Sequence, residues 1–346
     1  MVLIDSTSDL EANNNLTEIN NYGSSSKKAE AGIILGGLVT AAYVDVDGDV
    51  TWDSSNNTVN INDSFFVLQK NNGTGILGGA IEANKKNSFN GAATANNNKI
   101  NIKDSSINVT DASMGITGGY VSEVSSGEFL GLTSANNNSV SIDNSVIYGQ
   151  IFAGRNVKGE ANHNSVIISN NSAIEGDVVG GYTEGYAAVG NTIEISGNNT
   201  LDKANLYGYK GINSTPTITS DNSLKVEDFN GKINSVKNFE KLEYSNIEWK
   251  NNGTVIEAEK TENLINAEVI VSDKNGFKLN SGNLNIGESM TLLHSGNSLG
   301  NIKDLENGKE FNTIVGVATA VDGIIEQPDA NNITATIKDV KLADQT

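Results

Sequence analysis

Short runs of alternating apolar and polar residues recur along the chain, each led by an asparagine. The series is "NTVNI" at Asn57, "NKINI" at Asn98, "NSVSI" at Asn138, "NSVII" at Asn164, "NTIEI" at Asn191 and "NSLKV" at Asn222. Apolar residues two apart project from one face of a strand, so each run predicts a short β-strand buried on one side. A second mark lies between the first ones. It reads "ILGG" at Ile34–Gly37 and Ile76–Gly79, "ITGG" at Ile116–Gly119, "IFAG" at Ile151–Gly154, "VVGG" at Val178–Gly181 and "NLYG" at Asn205–Gly208. The period is about 40 residues early in the chain and about 27 later. The difference falls at two fixed insertion points, not in a changed unit.

Such a repeat predicts an all-β solenoid, in which each unit buries its apolar face only by stacking on its neighbours. Within a short unit, "NSVIIS", "SAIEGDVV" and the segment opening at the double glycine read as three strands, joined at Asn, Gly and Asp corners. That is one turn of a parallel β-helix. In such a stack each residue lies above its counterpart. A corner needs a left-handed backbone, which Asn and Gly tolerate best. An inward Asn can also hydrogen-bond the Asn above and below it, satisfying groups that would otherwise cost about 1–3 kcal/mol each. Asn57, Asn98, Asn138, Asn164, Asn191 and Asn222 are therefore expected to form a structural ladder. For the first two asparagines of each triplet, biased coding composition stands as an alternative to a structural role.

The double glycine disappears after about residue 230, although strand-and-turn text continues through Phe239, Leu242 and Tyr244. The tail, "IVGVATAVDGII" and then "NNITATIKDVK", reads as a further strand pair. The expected organisation is a partial N-terminal unit or cap over 1–30, the repeat over 31–229, and a continuation with a closing cap over 230–346, since open strand edges invite aggregation.

Two stretches carry a family likeness: the units of the type "GDVVGGYTEGYAAVGNTIEISG", and the pair "INSVKNFEKLEY" and "NLNIGESMTLLHSG". The chain resembles the passenger region of Gram-negative autotransporters of the self-associating adhesin type, over roughly residues 30–340. The second stretch looks like the segment just before the outer-membrane barrel of that family. The resemblance implies a right-handed β-helix, secretion through the outer membrane to the bacterial cell surface, and adhesion or self-aggregation. The chain differs from the complete family in two respects. The start, "MVLIDSTSDLEANNN", lacks the charged and apolar regions of a signal peptide, and the chain ends before any barrel of amphipathic strands. An isolated passenger is expected.

Composition narrows the chemistry. Asn is about one residue in seven and the net charge is −19. That acidity argues against a nucleic-acid partner and against direct binding to anionic lipid. No window approaches the roughly 18 apolar residues of a membrane helix, so direct membrane insertion by this segment is not expected. With no cysteine and two distant histidines, His163 and His294, a His/Cys metal site is not expected. No Gly-Asp-Ser-Gly stretch is present, which argues against a protease-type passenger. The single arginine, Arg155, reads as a solvated loop residue and makes a weak case for a polysaccharide-active enzyme of the β-helix type. No catalytic residue and no cofactor are assigned. "VDVDGDVTWD" brings Asp45, Asp47, Asp49 and Asp53 together in part of a calcium-loop pattern, but without the distal Glu, and it reads equally well as a strand with acids on its outer face.

The long insertions, 38–56, 80–97 and 120–137, belong to three consecutive units, so stacking is expected to set them side by side as a wall. Tyr43, Trp52, Lys85, Lys86, Phe89, Glu123 and Phe129 within them are the candidate contact residues, because aromatics in a polar setting are common anchors. The expected function is adhesion to a host surface protein or glycan, approached at appreciable salt or through divalent ions. Self-association with another copy, driving cell aggregation and biofilm, is the alternative, with many weak contacts in register acting multivalently.

Overall fold

The structure is a computed structural model that describes residues 2–3, 10–41, 50–68, 75–83, 91–122, 131, 133–211, 216–264, 266–279 and 284–342. Its regular structure among these residues is entirely β. The marked runs stack in register as one nine-stranded sheet of parallel strands: Leu16–Asn20, Thr58–Asn62, Lys99–Lys103, Ser139–Asp143, Ser165–Ser169, Thr192–Ser196, Ser223–Glu227, Lys241–Ser245 and Glu268–Val271. The chain returns to this sheet once per unit. Alternation places one column from Val59 through Ile100, Val140, Val166, Ile193 and Leu224 to Leu242 in the core, each at most 1% exposed. A second inward column runs from Ile61 through Ile102, Ile142, Ile168, Ile195 and Val226 to Tyr244. Burying a side chain of this size contributes about 1.5–3 kcal/mol, so the two columns are a large part of what holds the stack together.

A second, seventeen-stranded sheet carries the glycine marks. Ile33–Ala41, Gly75–Ala83, Ile116–Val121, Ile151–Asn156, Ala173–Tyr182 and Thr200–Lys210 pair parallel in that order. The double glycine does not open a strand. In Ala173–Tyr182 it lies inside a ten-residue strand that runs through the preceding "AIEGDVV" as well. The sixth mark is displaced by one residue: Val178 pairs with Leu206 and Gly181 with Tyr209, so Gly208 stands at the first glycine position.

The asparagine ladder is present and begins one unit earlier than the sequence marks. Oδ1 of Asn57 accepts both the main-chain N–H (3.0 Å) and the side-chain amide (2.8 Å) of Asn15. The same double acceptance repeats from Asn57 to Asn98, Asn98 to Asn138, Asn138 to Asn164, Asn164 to Asn191 and Asn191 to Asn222, always at 2.9–3.1 Å. It ends where Glu240 takes the ladder position and its Oε2 accepts the Asn222 N–H at 2.9 Å. From Asn57 to Asn222 these side chains are at most 1% exposed.

The corner and the ladder are separate jobs held by adjacent residues. The left-handed residue is the one before each ladder asparagine: Asn14, Asn56, Asn97, Asn137, His163, Gly190 and Asp221, with φ between 53° and 66°. The first asparagine of the triplets makes a further ladder, in which Oδ1 of Asn96 accepts the N–H of Asn136 and Oδ1 of Asn136 accepts that of Asn162, both at 2.7 Å. All three asparagines of a triplet thus have structural work. The acid or amide and serine that follow each run form a corresponding corner. Asp63, Asp104, Asn144 and Asn171 are left-handed, and Ser64, Ser105, Ser145 and Ser172 stack behind them. Each Oγ from Ser105 to Ser172 accepts the N–H of the serine one unit earlier, at 3.0–3.2 Å.

Parallel stacking continues past residue 230 through Gly231–Lys237, Thr254–Glu262 and Ser289–Ser295. The end is antiparallel. Asn332–Leu342 pairs with Ser289–Ser295, and Lys309–Val315, Thr319–Asp329 and Asn332–Leu342 form a meander of three strands, where the sequence suggested a pair.

Candidate functional site

The ends of the long insertions are strands. Their outgoing limbs are the last residues of the glycine-marked strands, and their returning limbs, Val50–Asp53, Gly91–Thr94 and Thr133–Ser134, join Leu10–Glu11 in a four-stranded parallel sheet. Between the two sets of limbs lies a small core of Leu10, Val39, Trp52, Ile81, Ala93, Ala95, Val121 and Ala135. Inward alternation on these limbs, rather than exposure, sets the fate of their apolar residues.

Trp52 is the clearest correction. It is 1% exposed, in register between Leu10 and Ala93, and so fills this core and offers no contact surface. Beside it, the Asp53 carboxylate accepts from Asn13 Nδ2 (2.9 Å), Thr94 Oγ1 (2.8 Å) and Ser55 Oγ, tying three limbs together. Tyr43, Lys85, Lys86, Phe89, Glu123 and Phe129, and the acids Asp45, Asp47 and Asp49, lie outside the described residues. Glu82, which sequence reasoning missed, sits half-buried on an outgoing limb, and burial pushes its carboxyl above the usual range. Its place next to the apolar pair Ala80–Ile81 was the available signal.

The histidines do not converge. His163 occupies an exposed left-handed corner, and His294 Nδ1 is hydrogen-bonded to Asn332 Oδ1 at 2.9 Å. Among the described residues no three His, Asp or Glu side chains come together as a metal ion would need.

Arg155 is the second correction, since it is a strand residue. Ile151–Asn156 carries Phe152 and Arg155 on its outer face, with Ile151 and Ala153 in the main core. Arg155 pairs in register with Tyr120 on one side and Tyr182 on the other. Its guanidinium lies 5.4 Å from the Tyr120 ring centre, 5.1 Å from Phe152 and 5.2 Å from Tyr182. Phe152 and Tyr182 meet edge to face with centres 5.7 Å apart. One strand further on, Lys210 and Lys237 lie 4.8 and 5.4 Å from the Tyr207 ring. The Tyr182 hydroxyl donates to Glu184 Oε1 at 2.5 Å, and burial first, then this carboxylate, pushes its pKa well above the ordinary phenol range.

Two surfaces are thus defined: the insertion side, and the aromatic–cation column on the outside of the glycine-marked strands. No protein-family model, curated protein or solved structure matches the chain.

Proposed function

We propose that the chain is a right-handed parallel β-helix with stacked loop insertions and a C-terminal cap, displayed at the bacterial cell surface as an autotransporter passenger, and that it works as an adhesin. The observation that carries the reading is the four-stranded parallel sheet of Leu10–Glu11, Val50–Asp53, Gly91–Thr94 and Thr133–Ser134. The returning limbs of three insertions pair in register, and the contacts are assigned to the residues between the limbs, 42–49, 84–90 and 123–130. A contact face made this way is repeated and multivalent. The partner is a host surface protein or glycan.

The test separates the loops from their limbs. Residues 84–90 and 123–130 are replaced by short Gly-Ser linkers, leaving Ile81, Ala93 and Val121 in place. The expected result is loss of attachment to host cells with thermal unfolding unchanged. Unchanged attachment overturns the assignment of contacts to these loops.

Self-association is the second reading. The outer face of the nine-stranded sheet favours it, where Asn101 Nδ2 donates to Asn60 Oδ1 (2.9 Å) and Asn62 Nδ2 to Asn20 Oδ1 (3.0 Å), placing amide groups in register along the face. Aggregation of cells displaying the protein, scored beside attachment, distinguishes the two.

A further inference from the structure

We propose that Arg155 is a receptor for the carboxylate of an acidic sugar, an assignment that rests on the adhesive reading above and names its ligand class. Arg155 is the only arginine in a chain of net charge −19. The neighbouring lysines on the same face are each neutralised by a carboxylate: Lys210 by Asp177 at 2.6 Å and Lys237 by Glu262 at 3.1 Å. Arg155 has no such partner among the described residues. Its one hydrogen bond runs from Nη1 to the Ser113 carbonyl at 3.4 Å, and its Nε is buried without one. Three rings hold the guanidinium in place instead.

A guanidinium offers five N–H donors in a planar fork that matches a carboxylate in bidentate fashion. Here the fork is immobilised in advance by stacking, so binding sacrifices little side-chain freedom. An acidic protein whose one planar cation has no carboxylate partner among the described residues, while the cations beside it are paired, has room for a carboxylate supplied from outside. Glu184, hydrogen-bonded to the Tyr182 ring that stacks on Arg155, adds a negative charge beside this position. Together with the net charge of −19 it repels a dense polyanion and favours a single charge on a neutral, hydroxyl-rich chain. That chemistry is a sugar carboxylate, whose sources are a sialic-acid terminus or a uronate unit.

The test is calorimetric titration of the whole 346-residue chain with sialyllactose and with a short hyaluronan oligosaccharide. Lactose and the methyl ester of each acid serve as controls. The expected result is binding of at least one acid, with its ester and lactose weaker by roughly tenfold or more, and the two acids tell the sources apart. Arg155→Gln is expected to lose the same factor. Arg155→Lys, which keeps the charge and the packing stem, is expected to fold and bind more weakly than the parent chain. Absence of binding to either acid, or equal binding of acid and ester, overturns the proposal and requires no variant to fold. Arg155-dependent dimerisation without sugar binding also overturns it, placing the carboxylate on a second copy. Attachment that persists on cells stripped of acidic sugars removes this inference while leaving adhesion itself standing.

Discussion

The side-chain amide of Asn98 donates to Oδ1 of Asn138 at 3.1 Å, and the same oxygen accepts the main-chain N–H of Asn98 at 2.9 Å, across 40 residues of sequence. One oxygen therefore satisfies two buried donors of the preceding unit. Asn138→Ala leaves both unpaired and also removes the donor to Asn164 Oδ1. We expect a loss of about 2–4 kcal/mol in chemical denaturation. Asn138→Asp keeps an acceptor for Asn98 but turns an oxygen toward that of Asn164, and is expected to cost at least as much at neutral pH. A loss below about 0.5 kcal/mol for the alanine variant would mean that the ladder is ornamental.

The double glycine follows from the ladder. A Cβ on Gly119 would stand 2.4 Å from Asn138 Nδ2 and 2.2 Å from the Ala95 carbonyl oxygen, and one on Gly79 would meet Asn98 in the same way. Neither neighbour can withdraw without breaking its own hydrogen bonds. Gly119→Ala is expected to cost about 3 kcal/mol or more, the upper end of overpacking. Gly32 provides the contrast, since a Cβ there meets nothing within 4 Å. Gly32→Ala is expected to be neutral or to stabilise by about 0.5 kcal/mol, by restricting the unfolded chain. Thermal melts of the two variants side by side measure the difference.

How much of this was legible in the sequence depended on whether a residue's role repeats. The ladder asparagines recur in every unit with the same neighbours, and their register was readable. Asn15 was missed although "NNNLTEI" has the same form, because Leu16 fills a polar outward position and Thr17 an apolar inward one; Leu16 is 62% exposed. Roles that occur once are harder. Trp52 and Arg155 each stand in glycine- and polar-rich text that reads as loop. Which way each side chain faces is decided by pairing with strands some 40 residues away, Leu10 and Ala93 for Trp52, Tyr120 for Arg155. The displaced sixth mark has a similar cause. Tyr209 occupies the second glycine position because the pairing with Ala173–Tyr182 gains one residue between Thr200 and Lys203, and its hydroxyl accepts from Asn263 Nδ2 at 2.9 Å.

His163 is an exposed side chain at a left-handed corner, φ 53°, where four other units place asparagine in the equivalent position, Asn14, Asn56, Asn97 and Asn137. The left-handed region costs an ordinary L-residue about 1–2 kcal/mol, and asparagine recovers part of that by local hydrogen bonding. His163→Asn is therefore expected to stabilise the chain by about 0.5–1 kcal/mol. Chemical denaturation of the two chains side by side measures the gain, and a variant no more stable than the parent would show that this corner carries no backbone cost.

Glu240 ends the asparagine ladder, and its carboxyl is held above the ordinary value of 4.5 by burial, against the lowering pull of its hydrogen bonds with Asn222 and Thr219. An acid whose folded-state pKa is raised binds its proton more tightly in the folded chain than in the unfolded one. Its contribution is accordingly most favourable below the unfolded pKa and is lost as pH rises through the folded one. Glu240→Gln retains an acceptor for the Asn222 N–H and does not titrate. The variant should melt at a higher temperature than the parent at neutral pH, and the two melting temperatures should converge as the pH falls below about 4. Melts across that range check both halves of the expectation. A parent and a variant that lose stability in parallel from acid to neutral pH would show that the ladder ends on a carboxylate with no penalty for its charge.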